Sequence, residues 1–300
     1  MAEKITSTPA KSSLSTFWWA SRHPTPDPTT SFVGKTVLIT GANAGLGFEA
    51  ATKFAALGTS KLIFGVRSLK RGEEAKARIE QKTGCAADVI QIVQLDMSNY
   101  ASIEGFAKEV TTEFSDIHAA VLNAGVAAPA HNLSPEGWEM SLQVNVISTV
   151  YLSLLLLPIL RRTGETTGQA THLEFVTSVG HGDVNIKSVQ DPHRILDKIN
   201  DPKNFNFMTQ YTITKLLEVW AVRAIAAKVP ASRVIITASC PSLCKSTLGR
   251  NFNTVLRILD ALMKAVFAKT AEQGSRVLVS AVTTGPEAHG GFWSHDRVAE

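Results

Sequence analysis

From Lys35 onward, short runs of β-branched and aliphatic residues alternate with longer stretches of helical character. This rhythm restricts the fold more than any other feature. Strands are expected at Thr36–Thr40, Lys61–Val66, Val89–Leu95, Ala119–Leu122, His172–Thr177 and Arg233–Ala238. The runs are continuously apolar rather than alternating, as in parallel strands covered on both faces. Helices are expected between them, near 45–57, 69–83, 99–114, 136–162 and 206–229. Strand and helix in strict alternation build βαβ units, so the predicted class is α/β with a doubly wound parallel sheet.

Residues 1–33 break the rhythm. They are rich in Ser, Thr and Pro, with Pro24, Pro26 and Pro28 alternating, and are expected to be an irregular extension. Within them Leu14–Ala20 forms an apolar patch, read as a strap over the domain, with membrane-surface contact as the sharper alternative. Residues 34–300 read as one domain, carrying a long polar insertion at about 182–206 that is expected to act as a lid. The longest apolar run, Val144 to Leu160, is interrupted by Asn145, Ser148, Thr149 and Ser153 and falls short of the roughly 20 residues of a membrane span. It is expected to be a buried helix. The formal charge of +4 is spread without a basic stripe, so nucleic acid is not an expected partner. The polar N-terminus has no apolar core of a secretory signal. Three cysteines, Cys85, Cys240 and Cys244, fit a reducing compartment, taken as cytoplasmic, better than a disulfide framework. They have no partners at zinc-ligand spacing, so no metal site is expected.

The first strand runs into Thr40-Gly41-Ala42-Asn43-Ala44-Gly45-Leu46-Gly47 and then a helix. Gly41 permits the tight turn, Gly45 lets backbone approach a pyrophosphate, and Gly47 lets the helix pack on the strand. The helix N-terminus offers amides and a positive dipole end to the phosphates. The second strand ends at Val66-Arg67, where enzymes using NAD usually place an acid. A guanidinium there suits a 2′-phosphate, so NADP(H) is the expected cofactor, with Ser68 and Lys70 able to assist.

Tyr211 and Lys215 stand at i and i+4 on one predicted helix. A free tyrosine titrates near ~10, too high for easy proton exchange at neutral pH. A neighbouring ammonium favours the phenolate and is expected to lower that value. Alone the spacing means little. With Thr40–Gly47, Asp96, Leu122-Asn123-Ala124-Gly125, Asn145, Thr177-Ser178 and the Pro241 segment, the chain resembles a short-chain dehydrogenase/reductase over residues 35 to about 295. The stretch Ser134–Trp138 to Leu154–Pro158, together with Arg67 and Thr177–His181, is similar to the retinol-dehydrogenase-like branch and its fungal relatives, many of which serve secondary metabolism.

The resemblance implies a Rossmann-type sheet of about seven strands. It implies an oxidoreductase acting on a hydrophobic ketone or aldehyde, or on the corresponding alcohol. By this resemblance Tyr211 is the general acid/base and Ser178 steadies the carbonyl oxygen. Asn145 holds a water in the relay to Lys215, and Lys215 also binds the nicotinamide ribose. Asp96 reaches the adenine and Asn123 supports the central strand. Asn43 and Leu46 belong to the cofactor turn, and Ser246 or Thr247 meets the nicotinamide amide. His181 is read as a pocket wall. Homodimers or tetramers are implied through the helices holding Tyr151–Leu156 and Ile213–Ile225. One departure stands out: Pro241 is followed by Ser242 where the family carries glycine, at a cost on the order of 1 kcal/mol if the backbone is left-handed there. Ser242 and the long lid also motivate the alternative of a non-redox protein that binds a ligand or shapes a cyclisation.

Overall fold

The computed structural model describes residues 12–185, 194–246, 248–249 and 252–299. The expected strands form at β1 (Thr36–Thr40), β2 (Lys61–Val66), β3 (Ile90–Gln94), β4 (Ala119–Leu122), β5 (Thr171–Val176) and β6 (Val234–Ser239). The sheet has eight strands in the order β3-β2-β1-β4-β5-β6-β7-β8, where β7 is Phe292–Ser294 and β8 is Arg297–Ala299. All pairings are parallel except β7 with β8. The eighth strand exceeds the expected seven. It closes a hairpin through His295 and Asp296, both at positive φ (52° and 56°), the backbone that tight two-residue hairpins require.

The helices α2 (Gly45–Ala56), α3 (Leu69–Thr83) and α4 (Tyr100–Glu113) follow β1, β2 and β3. Helix α5 (Thr149–Thr167) precedes β5, and α7 (Phe207–Ala226) precedes β6. On one sheet face Leu38, Ile63, Phe175 and Ile236 meet Phe106 of α4, Leu156 of α5 and Val222 of α7. On the other, Val37, Ile39 and Phe64 meet Phe54 of α2, Ile79 of α3 and Leu278. Each fully buried Phe among these removes enough apolar surface to contribute roughly 2–3 kcal/mol. The strand order reverses direction between β1 and β4, and the C-terminal ends of these strands form the crevice where such sheets bind ligands.

Five elements differ from expectation. Leu14–Arg22 is a helix, α1, and not irregular chain: Ser13 caps it by accepting from the Thr16 amide at 3.0 Å, Phe17 packs on the core and Ala20 is fully buried. The helix expected from 136 begins only after Glu139, whose carboxylate accepts the Ser141 and Leu142 amides at 2.9 and 3.0 Å. It opens with a π-helical turn, Leu142–Ser148, before α5. Leu142–Thr167 is long and apolar enough to cross a membrane by length and composition, yet 61% of its most apolar window is buried inside the fold. Two helices were not anticipated: α8 (Thr254–Phe267), with no buried residue, and α9 (Ala271–Ala281), packed on α2. The expected lid holds a short helix, α6 (Ile195–Asn200), anchored where the Asn200 carbonyl contacts His131 Nε2 at 2.9 Å and Asn200 Oδ1 accepts the Glu139 amide at 2.6 Å. Residues 1–11 and 186–193 of the two segments lie outside the described residues, as does Thr247.

Candidate active site

Helix α7 starts where Asn206 Oδ1 accepts the Met208 and Thr209 amides at 2.9 and 3.2 Å, and no glycine or proline interrupts it. Tyr211 lies in its second turn and Lys215 one turn later, with Nζ 5.7 Å from the Tyr211 ring centroid. Ser178 lies two residues past the end of β5. Its hydroxyl accepts the Gly180 amide at 3.2 Å and lies near enough to Tyr211 to favour the phenolate slightly. Gly180 sits against Thr212, where a Cβ would come within 3.0 Å of Thr212 Cγ2. A side chain at this position would push the Ser178 turn away from α7.

Asn145 lies in the π-helical turn, a form that recurs at functional sites because it re-aims one side chain. Its Oδ1 accepts the Val126 amide and its Nδ2 donates to the Val126 carbonyl, both at 2.9 Å, and Nδ2 also donates to Thr214 Oγ1 at 3.1 Å. A Cβ on Gly125 would lie 3.3 Å from Asn145 Oδ1 and 3.8 Å from Lys215 Nζ. Glycine therefore keeps open the space between these two groups.

The glycine-rich turn lies at the mouth of the crevice. Gly41 and Gly45 have φ of 70° and 57°. At Gly47 a Cβ would fall 2.5 Å from Asn123 Nδ2 and 2.6 Å from the Gly41 carbonyl oxygen. Asn123 Nδ2 donates to the Thr40 carbonyl at 2.9 Å, tying the end of β4 to this turn. Helix α2 has no side-chain cap, so its first amides are left for an anion. Asn43 and Leu46 are half-buried in the turn and first helical residues. Arg67 is exposed just past β2 and makes no ion pair among the described residues, while Ser68 caps α3. Asp96 Oδ1 accepts the Ser98 amide and hydroxyl at 2.9 and 2.7 Å, and Asn99 rather than Asp96 caps α4. Ser246 lies half-buried on the loop after β6, its carbonyl accepting from Lys264 Nζ at 3.2 Å. These features fit a dinucleotide: an uncapped helix start, a glycine cradle that tolerates no Cβ, and a cation at the end of β2. Among the described residues no group of His, Cys, Asp or Glu is disposed to hold a metal.

A family profile described as short chain dehydrogenase matches residues 35–180. A short-chain dehydrogenase/reductase of Aspergillus flavipes is 68% identical over all of this chain and 88% of its own length. The chain belongs to the short-chain dehydrogenase/reductase family. It is an oxidoreductase. A 3-ketoacyl-(acyl-carrier-protein) reductase from Brucella melitensis, solved with NADH, superposes at a TM-score of 0.65 with 21% identity, covering 88% of this chain and 97% of its own. An NADPH-bound carbonyl reductase from chicken fatty liver superposes at 0.64 with 19% identity, covering 89% and 98%.

In this dehydrogenase/reductase the sequence reading missed Glu218. Its carboxylate contacts Lys215 Nζ through Oε1 at 3.0 Å and Oε2 at 2.9 Å, and both side chains are buried. An acid set three residues after Lys215 within Leu216-Leu217-Glu218-Val219 was the readable signal. The electrostatics correct one expectation. Lys215 does draw the Tyr211 pKa down, but burial raises it more, and Glu218 and Cys240 add to the rise, so the phenol titrates above its ordinary value. Burial works against the Lys215 ammonium, yet Glu218 and Tyr211 outweigh it and hold its pKa up. Burial also pushes Glu218 up to about 7, despite the ammonium beside it. Both shifts run the same way: the pair holds protons more tightly than either group does in water. Ser242 does occupy the left-handed region, at φ 65°. Cys240 and Cys244 are buried free thiols, and Cys240 Sγ accepts the Val179 amide at 3.1 Å. His181 stacks edge-on against Phe292 at 4.5 Å and its Nδ1 contacts the Ser178 carbonyl at 2.7 Å.

Proposed function

We propose that this short-chain dehydrogenase/reductase reduces a ketone or aldehyde of a hydrophobic substrate with NADPH, and oxidises the alcohol in reverse, with Tyr211 as general acid/base. Lys215 Nζ, 5.7 Å from the Tyr211 ring one turn along the same helix, carries this reading, with Ser178 close enough to Tyr211 to favour its phenolate slightly. When bound, NADPH supplies the hydride. Ser178 donates a hydrogen bond to the carbonyl oxygen and stabilises its developing charge. Tyr211 gives its proton to that oxygen. Its raised pKa keeps the phenol protonated at neutral pH, which suits reduction. Lys215 stabilises the phenolate left behind, and its reprotonation is assigned to a relay through Asn145, from which Gly125 withholds a side chain on the Lys215 side.

Arg67 supports the choice of NADPH, since an unpaired guanidinium at the end of β2 suits a 2′-phosphate. The apolar side chains left open on α7 and α8, among them Met208, Ile258 and Leu262, support a hydrophobic substrate. Homodimers or tetramers through α5 and α7 belong to the same reading, supported by the exposure of Leu154 and Trp220. The test is steady-state kinetics with NADPH and NADH over a panel of apolar carbonyls. Tyr211→Phe is expected to lower kcat at least about 10²-fold while still binding NADPH. Turnover equal to the parent would refute the proton-donor role. Arg67→Asp is expected to move the preference toward NADH; a parent enzyme with higher kcat/KM for NADH would refute the role given to Arg67.

A further inference from the structure

An ammonium has three N–H donors, and the surroundings of Lys215 accept all three. Nζ donates to the Val176 carbonyl at 2.9 Å and to both oxygens of Glu218. Lys215 and Glu218 are 4% and 2% exposed, so water neither screens the contact nor competes for it. A buried carboxylate is costly unless it is paired, and among the described residues Lys215 is the cation that hydrogen-bonds Glu218. The same ammonium faces the Tyr211 ring. Any charge that Glu218 neutralises at Lys215 is therefore charge that Tyr211 does not feel.

The other ionisable groups around α7 are few. His181 and Asp183 come from the 3₁₀ turn Val179–Asp183, Glu139 from the loop before the π-helical turn, and Cys240 from the end of β6. Arg223 lies two turns along α7 itself. Glu139 is already engaged, accepting from Gln210 Nε2 at 2.7 Å and from two amides. His181 and Asp183 influence each other, and Cys240 is a buried thiol held protonated by its surroundings. None of them reaches Lys215 through a hydrogen bond.

We propose that Glu218 is a positioning residue for proton transfer: a fixed counter-ion that clamps the Lys215 ammonium against the Val176 carbonyl and sets how much of its charge reaches Tyr211. The clamp rests on the reading of Tyr211 as proton donor for its catalytic meaning, but its electrostatic effect is measurable without turnover. A ribose hydroxyl that reaches Nζ has to share or displace one of the three contacts. Glu218 thus also holds the ammonium in place before any cofactor arrives.

The chain has three tyrosines, Tyr100, Tyr151 and Tyr211. The double variant Tyr100→Phe, Tyr151→Phe leaves Tyr211 as the single phenol, so ultraviolet difference absorbance of the phenolate reads its titration directly in the cofactor-free protein. Adding Glu218→Gln is expected to lower the Tyr211 midpoint by about one pH unit, the scale of one close charge. In the otherwise unchanged enzyme, Glu218→Gln is expected to move the alkaline fall of carbonyl-reduction kcat/KM the same way. Glu218→Asp, which keeps the charge but withdraws it by one methylene, is expected to fall between the two, and decides the matter if Glu218→Gln does not fold. A Tyr211 midpoint that stays or rises in these variants, with native circular dichroism, overturns the proposal. Full activity of Tyr211→Phe overturns the proton-donor reading instead, and leaves the titration result standing as a separate observation.

Discussion

Ser242 shows how one residue can strain a loop without disabling the site beside it. At φ 65° its Cβ meets the steric penalty of the left-handed region, about 1 kcal/mol or somewhat more. The strain is anchored on both sides: the Ser242 amide donates to Cys240 Sγ at 3.3 Å, and Cys244 lies buried two residues on. Ser242→Gly is expected to raise stability by up to about 1 kcal/mol, the relief being offset in part by glycine's larger unfolded-state entropy. Urea denaturation of the two proteins checks it; a loss of stability would show that the serine side chain contributes more than its backbone costs. Gly41, also at positive φ, behaves in the opposite sense. A Cβ there would lie 3.2 Å from Ala124 Cα, so Gly41→Ala adds a clash to the strain.

At the scale of elements, β5 and β6 carry a buried carboxylic acid between them. Glu174 is fully buried on the sheet face opposite Phe175 and is hydrogen-bonded to Ser239 Oγ of β6. Burial holds its pKa well above the ordinary carboxylate value. In the folded protein it therefore stays protonated at pH values where the unfolded chain has lost the proton. The stabilisation is complete below about 4.5 and declines as pH rises toward the folded pKa. Glu174→Gln keeps the shape of the protonated acid and loses this pH dependence. Relative to the parent, it is expected to gain up to about 1.4 kcal/mol per pH unit above that value. Thermal unfolding of both proteins between pH 4 and pH 7 tests it, and parallel curves would show that Glu174 ionises normally. The strand pattern made β5 legible but gave no reason to expect an acid inside it.

Across the whole molecule, the segment before β1 closes the fold from outside. Trp18 of α1 meets Phe267 of α8 edge-on at 6.2 Å. Further along, Arg276 donates to the Thr25 carbonyl at 3.2 Å, Lys53 pairs with Asp27 at 2.6 Å, and Phe32 packs edge-on against Phe54 at 4.9 Å. Removing residues 1–22 takes away the burial of Phe17 and Ala20 and is expected to lower stability by about 2 kcal/mol. The same truncation removes the contact of Trp18 with Phe267 of α8. Denaturant unfolding measures the loss, and an unchanged midpoint would show that α1 rests on the domain without stabilising it.

The sequence by itself determined the layered α/β class, six of the strands within a residue or so, and the i, i+4 placement of Tyr211 and Lys215. Each of these follows from local chemistry: apolar periodicity, glycine where a turn needs positive φ, and helical spacing. Some of what was missed also had a local signal. Thr270 and Gln273 form a capping box that marks the start of α9. Only the tertiary structure decided the rest. It placed Glu218 and Val176 around one ammonium, set Asn145 in a π-helical turn facing Gly125, and docked α1 on a helix more than two hundred residues away. It also reversed the expected direction of the Tyr211 pKa. A residue list shows which charges are present, whereas burial and distance decide how strongly they act, and both are set by chain segments remote in sequence.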